Sequence, residues 1–128
     1  MKRPVWGALA AVVAIAAAVL VLWPRDVEAR PQVAESGRYR FELTPASTRS
    51  GTNSLDLRVT DRSGGAASGD VTVEPAMPQM GHALAPITAA PVGPGHYRVG
   101  DVGLDMAGQW EITVSLSAER VVIPLLLT

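Results

Sequence analysis

Two thioethers and an imidazole fall within six residues in Met77-Pro78-Gln79-Met80-Gly81-His82. Thioether sulfur and imidazole nitrogen together make a soft donor set that selects Cu(I), whereas Ca²⁺ and Mg²⁺ require oxygen ligands that this stretch lacks. A thioether has no proton to lose, so its ligation survives acidic exported compartments better than that of a thiolate. The chain contains no cysteine. That removes disulfides, thiolate metal sites, a cysteine nucleophile and the blue-copper ligand set. Met106 offers a third thioether more than twenty residues further on. Packing competes with ligation at each position, because methionine in a β domain ordinarily fills gaps in the core. The second histidine, His96, stands at a strand start, where an exposed polar role fits better than ligation.

The elements around this cluster must place it. Pro75, Pro78 and Pro86 remove donors from any strand ladder, and Gly81 adds a turn, so the stretch reads as a fixed irregular loop, the kind of segment that carries function. On either side the period is two: Tyr39, Phe41 and Leu43 alternate with charged residues, and Leu55, Leu57 and Val59, then Val71 and Val73 before Pro75 halts the strand, alternate with charged residues or threonine. A short strand follows at Ile87–Ala90 and a turn at 91–95. The strand from His96 to Leu104 is bent near Gly100 or Gly103, and after the turn at 105–108 come Trp110–Leu116 and Val121–Leu127, with Pro124 marking an edge or bulge. These seven strands predict an all-β fold, an immunoglobulin-like antiparallel β-sandwich with Trp110 as its core anchor. If each strand crosses the sandwich once, the loop 75–86 and the turn 105–108 open at the same end, which lets Met106 approach Met77, Met80 and His82. That expectation depends on 87–90 being a crossing.

Residues 5–23 are uncharged and almost wholly apolar. As a helix they span roughly 28 Å, close to a bilayer's hydrocarbon core. Lys2 and Arg3 precede them, and Trp6 and Trp23 lie near the two ends, so the sequence predicts one transmembrane helix with a cytoplasmic N-terminus and the remainder facing a periplasm or its equivalent. A cleaved secretory signal has the same charged start. The length of the run and the lack of a small-x-small pattern at Trp23-Pro24-Arg25 favour a retained anchor. The chain divides into an anchor at 1–24, a polar proline-containing linker at 25–36 and a domain at 37–128.

The formal charge of −1 carries no block of like sign, so nucleic acid is not an expected partner. Neither is catalysis expected: no nucleophile has an evident base, no Gly-rich phosphate loop opens a helix, and Asp101 and Asp105 read as turn residues.

The loop, then Gly95-His96-Tyr97, then Met106-Ala107-Gly108-Gln109-Trp110-Glu111-Ile112-Thr113-Val114, resembles the pattern of YtkA-like domains. These are small exported β-sandwich modules related to FixH-type proteins and to segments fused to heavy-metal efflux adaptors. The likeness covers about residues 38–128. It implies a membrane-anchored or secreted module linked to copper handling or to assembly of copper-containing respiratory enzymes, with Met77, Met80, His82 and Met106 as the metal candidates. FixH-type proteins generally carry a longer N-terminal region than this chain does. The expected function is thus a membrane-tethered periplasmic copper-binding protein, holding Cu(I) for delivery to a copper-dependent membrane enzyme or a metal efflux system. The rival is a metal-free interaction module that docks on a membrane enzyme or transporter.

Overall fold

Period-two alternation runs through the long strands of the structure, a computed structural model that describes residues 30–128, and is interrupted in one of them at Gly100–Asp101. The expected anchor at 1–24 lies outside the described residues, among which no helix is long and apolar enough to cross a membrane. Ten strands are described: β1 (Gln32–Glu35), β2 (Tyr39–Pro45), β3 (Gly51–Asp61), β4 (Val71–Met77), β5 (His82–Ala83), β6 (Ile87–Thr88), β7 (Ala90–Gly93), β8 (His96–Leu104), β9 (Gly108–Leu116) and β10 (Glu119–Leu127). One sheet has the order β1-β2-β3-β8-β7. The other has β10-β9-β4, with β5 and β6 both against the free side of β4. All pairings are antiparallel, so the all-β sandwich expected from the alternation is what the chain forms. Phe41, Leu43, Leu55, Leu57, Val73, Leu104, Trp110, Ile112 and Ile123 fill the space between the sheets, and removing this apolar surface from water is the main source of stability.

The chain makes ten strands rather than seven, for local reasons. β1 occupies the end of the expected linker, so the sandwich begins at residue 32; its only inward apolar group is Ala34, half-buried, and the ladder to β2 holds it in place of side-chain burial. Pro75 does not halt β4. Pro75 O accepts a hydrogen bond from Leu84 N (2.9 Å). In a strand the N–H and C=O of one residue point the same way, so the missing Pro75 donor faces the gap between β5 and β6 and costs no bond to β9. The expected strand at 87–90 is split between β6 in one sheet and β7 in the other. Most of the expected turn at 91–95 belongs to β7, an edge strand that tolerates Pro91. β8 bends where expected: its register with β3 shifts between Asn53 and Leu55, and Asp101 has a φ of 52°. Pro124 sits, as expected, in the edge strand β10.

The strand directions define two ends. At one end lie the close of β4, the link from β8 to β9 and the close of β10, where Leu127 pairs with Gly108. The loop 46–50 joins that end through Thr128 N to Thr48 O (2.9 Å) and Ser50 N to Thr128 O (3.0 Å). Buried Asn53 pins the same loop, donating to Ser47 O (2.8 Å) and accepting from Ser47 N (3.2 Å). At the opposite end lie the β7–β8 and β9–β10 turns.

Asp61 closes β3 at that opposite end. Its Oδ1 accepts from the Ser63 hydroxyl (2.7 Å), Ser63 N (2.9 Å) and Gly65 N (2.9 Å). The Ser63 hydroxyl first, and then the Gly65 N–H, hold the Asp61 carboxyl below its ordinary pKa. A carboxyl depressed in the folded state stabilises above its unfolded pKa and loses that contribution as pH falls through the folded value. The urea midpoint of the native protein is therefore expected to fall more between neutral pH and about pH 2 than that of Asp61→Asn.

Candidate metal centre

The alternation that buries Val71, Val73 and Pro75 continues to Met77, which is 2% exposed. Met77 thus belongs to the core. Its methyl end lies against Gly108: a Cβ placed there would stand 2.8 Å from Met77 Cε. Pro78–Met80 then make one 3₁₀ turn, closed by Gly81 N to Pro78 O (3.1 Å) with Gly81 at φ 62°. That left-handed residue reverses the chain, so β5 returns along β4 with His82 paired to Met77. Glycine is the residue that enters this region without strain.

Two contacts fasten the loop to β9, and a third ties β9 to the turn before it. Gln79 Nε2 donates to Gln109 O (2.8 Å). The His82 ring meets Trp110 edge to face, with centroids 5.8 Å apart and planes at 78°. Trp110 Nε1 donates to Met106 O (2.9 Å), which satisfies the polar atom of a fully buried indole. Met106 packs half-buried against the core. The loop and the 105–107 turn therefore share one end of the sandwich, as strand parity requires: the chain descends once through β5, β6 and β7, changing sheets on the way, and rises once through β8.

Around Trp110 and Gly108 the fold brings the Met77 methyl from the core, the His82 ring from the surface and the Met106 carbonyl from the turn. Met80 closes the 3₁₀ turn, 63% exposed. His96 is set apart. It starts β8 at the opposite end, half-buried rather than exposed, and its Nε2 is bonded to Asp56 across the strands. Among the described residues no three of His, Asp and Glu converge on one point. Sulfur and imidazole at one end favour a soft, monovalent ion over a hard one.

Sequence reasoning anticipated Trp110 as a core residue and missed the Gln79–Gln109 strap and the close approach at Gly108. The glycine in Met106-Ala107-Gly108 was the available signal, since a strand that opens on glycine marks a tight backbone approach or a positive φ. No match was found among curated proteins or among solved structures. The YtkA-like family model matches residues 32–115, from β1 through most of β9, and the chain belongs to that family.

Proposed function

We propose that this YtkA-like protein is held in a membrane by residues 5–23 and binds Cu(I) outside the cytoplasm through Met80, His82 and Met106, with Met77 behind them. Its role is to hold copper for a membrane enzyme or a metal efflux system; no reaction is assigned to the chain. What supports the reading is that Trp110 meets the His82 ring and the Met106 carbonyl at the same end of the sandwich, so the segments that carry one imidazole and three thioethers share that end. The donor chemistry selects Cu(I), and an exported domain without cysteine has thioethers as its only soft sulfur ligands.

Anaerobic titration of Cu(I) into the full chain in detergent, against a chromophoric chelator, is expected to give one tight equivalent. Met80→Leu and His82→Ala each weaken it at least about tenfold, or about 1.4 kcal/mol, while His96→Ala leaves it nearly unchanged. Equal losses at all three positions would sink the assignment. A chain that takes up no Cu(I) is instead the metal-free docking module. The exposure of Met80 and of Leu126, 62% exposed and paired with the Gln109 that anchors the loop, favours this second reading because surface methionine and leucine suit protein contacts.

A further inference from the structure

The end of the sandwich that carries Met80 and His82 is also the end at which the chain enters it. β1 pairs antiparallel with β2 from Gln32 opposite Leu43 to Glu35 opposite Arg40. The turn between them is tied to the start of β10 at the opposite end, where Glu119 accepts from Ser36 Oγ (2.9 Å) and Arg38 N (2.8 Å). β1 therefore runs away from the Met/His end. Arg30 and Pro31 reach it from the Met/His side, and Gln32 pairs only two residues short of Pro45, the close of β2.

Eight residues, 24–31, separate the apolar run 5–23 from β1. Fully extended they reach at most about 28 Å, about the length of the nine-residue β10, roughly 30 Å. A tether this short, attached near one end of the domain, holds that end nearer the bilayer than the other. The side chains displayed at the Met/His end include a thioether, amides and an aliphatic group, Met80, Gln79, Gln109 and Leu126, with one carboxylate, Asp105, and one guanidinium, Arg49, on the neighbouring turn and loop. Lysine is absent beyond position 2, and the arginines at this end, Arg30 and Arg49, fall short of the cluster of about four or more basic groups that grips anionic headgroups, so its mixed chemistry fits a protein surface.

Resting on the reading of residues 5–23 as a retained anchor, we propose that the Met80–His82 end faces the bilayer and presents the site to the outer face of an integral membrane protein, whose receiving ligands lie within about 28 Å of the membrane.

The chain has no native cysteine, which permits single-cysteine labelling of the full protein. Ala83→Cys, beside His82, and Ala118→Cys, in the β9–β10 turn, carry a fluorophore in phosphatidylcholine liposomes that contain a headgroup-quencher lipid. The Ala83 label is expected to be quenched at least about twofold more than the Ala118 label, and inserting about twenty Gly/Ser residues between Arg30 and Pro31 is expected to erase the difference. Equal quenching, or stronger quenching at 118, overturns the orientation while leaving copper binding intact. A difference that survives the insertion means that the face adheres to lipid itself, which overturns the choice of a protein partner. Failure of the full chain to float with liposomes removes the anchor reading and the inference together.

Discussion

Trp110→Ala is expected to lower the unfolding free energy by about 3–5 kcal/mol, the range for truncating a large buried aromatic. Trp110 is fully buried, near the start of β9 and paired with Leu125 of β10, so alanine leaves a cavity in a packed core that the paired strands keep from collapsing. The variant also deprives Met106 O of its donor, and an orphaned buried carbonyl adds about 1–3 kcal/mol when water does not reach it. Against a total stability of about 5–15 kcal/mol for a domain, this is a loss large enough to unfold part of the population. Urea denaturation followed by circular dichroism measures it. Trp110→Phe keeps most of the ring volume and is expected to lose less. A loss below about 1 kcal/mol for the alanine variant would contradict the role of Trp110 as the pin between the loop, the turn and the core.

Gly108→Ala is the second large effect and tests the same junction from the backbone. Gly108 has a φ of 129°, a region that L-residues rarely enter, with a strain of about 1–3 kcal/mol. The new methyl would also stand 2.8 Å from Met77 Cε, which the buried thioether must leave, and overpacking of this kind costs about 1–3 kcal/mol. The two contributions separate in a double-mutant cycle. Shortening the partner with Met77→Val is expected to recover the steric part in combination with Gly108→Ala while leaving the backbone strain, so the two substitutions are non-additive. Strict additivity would show that Met77 does not press on Gly108.

How far the sequence revealed this junction depends on which forces set each piece. β8, β9 and β10 were legible because Tyr97, Val99, Trp110, Ile112, Val114, Ile123 and Leu125 alternate strictly with polar or exposed positions, and one buried face fixes the register. β1 was not, since Gln32-Val33-Ala34-Glu35 buries almost nothing and owes its place to a backbone ladder. The split of 82–93 into β5, β6 and β7 was hidden by Pro86 and Pro91, which read as breaks, although Pro86 links two strands on the same side of β4 and Pro91 lies within β7, the change of sheet falling between Thr88 and Ala90. Taking Pro75 as a stop also concealed the burial of Met77: extending the inward positions 71, 73 and 75 by one more step leads directly to it. The common end of the loop and the 105–108 turn followed from counting crossings. The contact of His82 with Trp110 did not, because it depends on one left-handed residue, Gly81, reversing the chain immediately after the 3₁₀ turn.

The central claim is that copper binds at the Met/His end through sulfur and one imidazole. X-ray absorption at the copper edge, on the full chain loaded with one equivalent of Cu(I), tests it most directly because it counts the sulfur and nitrogen neighbours of the metal. The account predicts a first shell dominated by sulfur with one imidazole nitrogen, and loss of the imidazole signature in His82→Ala. A first shell of nitrogen and oxygen alone, or one unchanged by His82→Ala, would contradict it.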